Sequence, residues 1–424
     1  MWRENKKGRE ESMTYQERRQ RVAEKMGKGS VLILYSGEAV HISADAYQHF
    51  EANRQFFYLT GIRRSNMALV IDTCGEKTEE TLFIEPIDPA VERWVGKKMT
   101  KEEAKEVSGI EQIRLIDGLT SAINLIMTRK LPKKVYFDTY RHGMKDLPDY
   151  NLVRANEFIQ AYPGVTVENI YPVIAAFRMV KGEEEIATMR KAVAVTNEAL
   201  NHVLATLTPG MMEYQVQAEF EYKVKAQGAD GMAFPTIAGS GINGTMLHYE
   251  TNHAKCEENT LILLDLGARV EGYNADITRT YPVSGKFTKR QKEIYNIVLK
   301  ANQEIAMLAK PGLTLAELNN HCKKVLAEGL LSLGLIEKEE EVGKYYMHGV
   351  SHHLGIDVHD VTVPEKAKLE PGMVITNEPG LYIDEEAIGI RIEDDLLITE
   401  SGCEVLSKDI IRTVEEIEER MKER

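Results

Sequence analysis

Apolar and polar positions along the chain change rhythm near residue 174. Before it, short apolar runs alternate with helical stretches. Residues 14–26 predict a helix that stops at Gly27-Lys28-Gly29, and VLILY (31–35) predicts a buried strand. FFYLTG (56–61), MALVID (67–72), TLFIEP (81–86) and KVYFD (134–138) are further short runs, with helical stretches such as LTSAINLIMTR (119–129) between several of them. Strands interleaved with helices predict an α/β domain with a mostly parallel or mixed sheet. Its charges are dispersed and it has no phosphate loop, so it names no chemistry.

A longer period then takes over. From Lys181-Gly182 onward, Ile186, Met189, Ala192, Val193, Thr196 and Leu200 follow the three-and-four spacing of a buried helical stripe, with acids crowding the first turn. The change places a boundary at residues 174–180. It divides the chain into a charged, frayed extension (1–12), an N-terminal α/β domain (13–175) and a second domain (176–424). Within the second, residues 208–228 and 310–329 echo each other: Pro-Gly, an amphipathic helix, then Ala-x-Gly. By itself the echo is no more than two helices that follow Pro-Gly turns.

Composition narrows the class. The 424 residues are 43% hydrophobic and 28% charged, an ordinary globular balance for two domains. Lys plus Arg number 53 against 66 Asp plus Glu, a formal charge of −13. That argues against a nucleic-acid binder, which needs clustered positive charge. No segment offers the ~18 consecutive apolar residues of a membrane helix. Cys74, Cys256, Cys322 and Cys403 are scattered and suggest neither a disulfide framework nor a zinc ribbon. A soluble, cytoplasmic protein is the expectation.

The chemistry concentrates in a few acids and histidines. In LILLDLGARVEGYNADITRTYPV (261–283), Asp265 and Asp276 flank a turn. In a hairpin with an even loop they face each other if the turn centres on Val270-Glu271, and shift by two if it centres on Glu271-Gly272. Either register leaves both on one face, because side chains alternate with period two. Like charges there destabilise a sheet, so something positive is expected between them. His348, His352, His353 and His359, four of 11 histidines, fall within 12 positions. Glu378 precedes Pro379-Gly380, and Glu393 shares the strand IGIRIEDD with Arg391, its expected salt-bridge partner. One imidazole (His352) and four acids (Asp265, Asp276, Glu378, Glu393) form a donor set that two divalent cations would neutralise. Its oxygen-rich character favours Mn²⁺ foremost.

These residues stand in motifs. LHYETN (247–252), DLGARVEGYNADITRTYPV (265–283), MHGVSHHLGIDVHD (347–360), TNEPGLYI (376–383) and GIRIEDD (389–395) together resemble the aminopeptidase P and prolidase group of pita-bread metallopeptidases. SADAYQHFEANRQFFYLTG (43–61) resembles the N-terminal domain of aminopeptidase P and its creatinase relatives. The resemblance implies an α/β N-terminal domain followed by a pseudo-duplicated α+β pita-bread catalytic domain, which gives the Pro-Gly echo a reason.

It further implies a dinuclear centre held by Asp265, Asp276, His352, Glu378 and Glu393, with Asp276 and Glu393 bridging and a hydroxide between the ions. The metals would be Mn²⁺, with Co²⁺ or Zn²⁺ as alternatives. Glu378 would also assist proton transfer. His248, His348 and His359 would bind substrate, stabilise the oxyanion and shuttle the proton, and Arg391 matches the family's active-site arginine. The implied reaction removes an N-terminal residue from peptides with proline in second position. Rival readings are a dipeptide-restricted prolidase and a non-catalytic peptide-binding relative. No nucleic-acid or membrane partner is implied, whereas a homo-oligomer, dimer or tetramer, is. Asp45 and Trp94 match positions able to reach a neighbouring subunit's cleft.

Overall fold

A computed structural model describes residues 14–423; the extension expected at 1–12 lies outside them. The chain forms two compact units that part between Arg178 and Met179. In the first, the helix Tyr15–Met26 starts at a capping box, Thr14 and Glu17 each satisfying the other's backbone N–H. A mixed six-stranded sheet runs in the order Gln112–Leu115, Glu79–Ile84, Ala68–Asp72, Ser30–Tyr35, Lys134–Phe137, Thr166–Asn169. The FFYLTG run is no strand. It lies in the helix Arg54–Thr60, because the Asn53 side chain accepts from the N–H of Gln55 and Phe56 and so nucleates a first turn. Gly61, at φ 72°, ends it. The unit closes with the helix Tyr171–Arg178, whose Ile174 and Ala175 are buried and whose Arg178 donates to Gln55.

The second unit is built twice over. Helices Glu183–Thr206 and Glu213–Ala226 have equivalents in Lys289–Leu308 and Leu315–Ser332. Equivalent residues differ by 102. His202 bonds Glu219 at 2.7 Å, and at matching positions Glu304 bonds His321 at 2.8 Å, the same pair with its members exchanged. The turns match as well, with Gly210 at φ 95° and Gly312 at φ 90°. Both Pro-Gly turns are then clamped by an isolated antiparallel bridge, Met212 to Lys255 and Thr314 to Lys368. The closing Ala-x-Gly of the echo is coincidence: Gly228 follows its helix at φ 80°, whereas Gly329 is inside the longer one, packed against Ile297.

From those clamps the chain runs into the strands that carry the acids. Leu261–Leu266 lies between Ile237–Ser240 and Ile277–Pro282, and Val374–Asn377 pairs with Asp394–Ile398, all antiparallel. Here equivalents differ by 113, which makes Asp265 and Glu378 counterparts. The hairpin turns at Glu271-Gly272, both at positive φ, with the Gly272 N–H donated to Asp230. Asp265 therefore pairs with Thr278, the shifted of the two registers. IGIRIEDD is not one strand either. Ile388–Arg391 pairs with Gly380–Ile383, and after Ile392-Glu393 the chain switches to a different sheet at Asp394.

Candidate active site

One cavity of about 470 Å³ in the second unit is lined by Asp265, Asp276, His352, Glu378 and Glu393, and also by His248, His348, His359 and Arg391. The nine residues given ligand or catalytic roles from the sequence thus meet there, although they span residues 248 to 393.

The carboxylates reach it from strand ends. Asp276, His352 and Glu393 each present a donor atom, and these three atoms lie within 4.8 Å of one another. The His352 Nε2 is 3.4 Å from Asp276 Oδ2 and 3.6 Å from Glu378 Oε1. Its other nitrogen, Nδ1, sits 3.0 Å from the His353 carbonyl. That contact suits a proton on Nδ1 and leaves Nε2 facing the acids, where it would give up its own proton to ligate a metal. Asp265 stands apart from that group of three. Its Oδ2 accepts from Arg391 at 2.6 Å, while the buried Oδ1 has no hydrogen-bond partner. An orphaned carboxylate oxygen beside four further donors suits a divalent cation, and the set fits a hard metal.

The electrostatics agree. Burial, with the charges of Asp276, Glu378 and Asp265 adding to it, pushes Glu393 well above the usual carboxylate range. Burial also raises Asp276 and lifts Glu378 to about 7, against the opposing pull of His352 and Arg391. Burial disfavours charge on His352 too, but contact with Asp276 and the charge of Glu378 outweigh it and raise the imidazole to about 9. Without cations the cluster must hold protons to relieve its own repulsion.

Around these donors runs a second network. Arg391 gives Nη2 to Asp265, Nε to Thr278 at 3.0 Å and Nη1 to the Tyr382 hydroxyl at 2.9 Å. Its ion-pair partner is thus Asp265, not the Glu393 expected from a shared strand, because the chain changes sheets between Arg391 and Asp394. Thr278 donates to Glu393 at 2.6 Å. Tyr382 lies 2.8 Å from His348 Nε2, and the His348 Nδ1 is 2.7 Å from the Gly349 carbonyl. Burial and then the Arg391 charge lower His348 to about 4, so it is a neutral ring. His359 packs against His352, with ring centroids 4.2 Å apart and planes tilted by 49°, and burial and neighbouring histidines lower it as well. His353 faces away, buried beside Lys181 and Asp360 and bridged to Ile375.

Thr278 and Tyr382 were not singled out by sequence. Both stand inside the quoted motifs, on strands that begin just after Asp276 and Glu378. A hydroxyl two positions after Asp276 on the same face was the available signal for Thr278.

The pattern of metallopeptidase family M24 matches residues 187–400, and that of the aminopeptidase P N-terminal domain matches residues 15–136. The Xaa-Pro aminopeptidase of Escherichia coli strain K12 is 33% identical over 96% of this chain and 97% of its own. That of Haemophilus influenzae is 32% identical, covering 96% of both. Among solved structures, a Bacillus anthracis protein superposes with a TM-score of 0.95 at 47% identity, over 97% of this chain and 98% of its own. E. coli aminopeptidase P with the inhibitor Pro-Leu gives 0.88 at 33%, over 96% and 98%.

Proposed function

This chain belongs to metallopeptidase family M24, with an aminopeptidase P type N-terminal domain, and from that premise we propose that it removes the N-terminal residue from peptides whose second residue is proline. The observation that carries the reading is the convergence of five oxygen and nitrogen donors with three further histidines on one cavity. An X–Pro bond is a tertiary amide without an N–H, so recognition must rest on the carbonyl, the free amino end and the proline ring. The cavity offers acids for an ammonium group, imidazoles for a carbonyl oxygen, and the apolar walls of Phe234, Ile237 and Leu247.

Asp265, Asp276, His352, Glu378 and Glu393 would hold two divalent metals, Mn²⁺ foremost with Co²⁺ or Zn²⁺ as substitutes, Asp276 and Glu393 serving both ions. Such metals supply Lewis acidity and a lowered water pKa. Glu378 takes a proton from the attacking water. His248, His348 and His359 share substrate binding and stabilisation of the oxyanion, and the proton passes from Glu378 through a histidine to the departing proline nitrogen. Arg391 pairs with Asp265 and, through Tyr382, sets the orientation of His348. One C–O bond forms, the C–N bond breaks, and the proline nitrogen leaves as an amine.

We assign the protein to the cytoplasm, a reading that its unpaired cysteines suit. A homo-oligomer is supported by exposed apolar side chains in the first unit, including Trp94, Val95 and Tyr47. Among the described residues no helix is long and apolar enough to cross a membrane.

The test compares an X–Pro–Y–Z peptide with an X–Pro dipeptide, using chelated protein with and without Mn²⁺. Metal-dependent release of X from the longer peptide is expected. Cleavage confined to the dipeptide would make it a prolidase, and silence on both with metal bound would leave a binding protein.

A further inference from the structure

We propose that Glu213 is a positioning residue for this reaction, acting through His248; the inference rests on His248 working in the site as described above. Glu213 opens the helix Glu213–Ala226, has no exposed surface and does not line the cavity. A carboxylate so deeply buried persists only where donors satisfy its oxygens. Four do. Oε1 accepts from the Ser240 N–H at 2.7 Å and the Asn243 amide at 3.0 Å. Oε2 accepts from the Tyr249 hydroxyl at 2.9 Å and the Ala254 N–H at 2.8 Å.

All four donors belong to a single segment, residues 240–254, and they bracket His248. Ser240 and Asn243 precede it, Tyr249 follows it directly, and Ala254 ends the segment. The Tyr249 hydroxyl also accepts from Asn243 at 3.0 Å, which closes the bracket on itself. Beyond the short turn Gly241–Thr245 this segment has no ladder of its own through residue 254. One turn along the helix, Gln217 accepts from Asn252 of the same segment at 2.9 Å. A loop without regular structure takes its shape from such side-chain anchors, and Glu213 supplies most of them.

The second repeat makes an independent comparison. Asn319, the counterpart of Gln217, accepts from the Tyr346 hydroxyl at 2.9 Å and the Val350 N–H at 3.1 Å, one on each side of His348. Each repeat therefore pins the loop of one active-site histidine from its Pro-Gly helix. Only the first does so with a carboxylate.

Glu213→Gln keeps the shape but sets an amide N–H against two of the four donors. The expected result is a ~10- to 100-fold fall in kcat on an X–Pro peptide, the size that small misplacements of working groups produce. Metal content by elemental analysis should equal wild type. In a His248→Ala background the same substitution should cost little more, because both act through one group. Tyr249→Phe removes one donor, should show the same pattern at smaller size, and carries the test if Glu213→Gln does not fold. An undiminished loss beside His248→Ala overturns the positioning role alone. Wild-type turnover by His248→Ala overturns it together with the role of His248.

Discussion

The two repeats of the second unit share a frame and divide the chemistry unequally. Each has a long helix, a Pro-Gly turn, a second helix, a bridge and a strand leading to an acid, Asp265 in one and Glu378 in the other. The exchanged pairs His202–Glu219 and Glu304–His321 show how loosely the frame constrains identity: opposite partners suffice, in either order. At the cavity the symmetry stops. The second repeat's loop brings His348, His352 and His359, whereas the first repeat's brings His248 alone. Asp276 and Glu393 also occupy unmatched positions, since Asp265 faces Thr278 and the chain leaves its hairpin at Glu393. Duplication supplied a scaffold with two acids on one cavity, and the asymmetric additions completed its set of donors.

The sharpest way to break that comparison is at the unmatched acids. Glu393→Ala or Asp276→Ala should reduce turnover to background and lower metal content. Normal turnover in either purified variant would contradict the assignment of these residues to both ions. His359→Ala, from the same asymmetric set but outside the donors, should keep its metal while losing roughly 10²- to 10⁴-fold in rate, as for a displaced proton carrier. Loss of metal instead would make His359 a ligand.

Metal removal tests the cluster as a whole. Glu378 (about 7) and His352 (about 9) bind protons more tightly in the folded state than in the unfolded one, where ~4.3 and ~6.5 apply. The folded state thus holds more protons, and stability falls as pH rises through those intervals. The lowered His348 and His353, each about 4, act oppositely, but only below the unfolded value of ~6.5. Metal-free protein should therefore lose Tm between pH 6.5 and 9, and Mn²⁺-loaded protein should not. Parallel curves would mean the acids are not the metal's ligands.

The smallest effect is expected at the shared frame. Exchanging His202 and Glu219 reproduces the order found in the second repeat, and for a part-exposed pair should change stability by less than ~1 kcal/mol. A larger loss in thermal melts would show that the order of the pair matters after all.

Much of this was legible in the chain. The stripe Ile186–Leu200 is buried as its spacing requires, because a helix buries a fixed angular sector whatever lies opposite. Strand alternation put Asp265 and Asp276 on one face in either register, since parity survives a shift of two. The FFYLTG run misled because four consecutive buried apolar residues, Phe56 to Leu59, have no period to read, and the Asn53 cap decides for helix.

Neighbouring residues along the chain set much of the local geometry: most of the elements, the shared face of Asp265 and Asp276, and the motifs that carry the resemblance. Only the tertiary structure decided the turn at Glu271-Gly272, anchored by Asp230, and the pairing of Arg391 with Asp265 across 126 positions of sequence. The same holds for the capture of the His248 loop by Glu213. These contacts join groups far apart in the chain. Local preference fixes dihedrals and faces, whereas the choice among distant partners falls to whichever packing leaves the fewest buried charges without one.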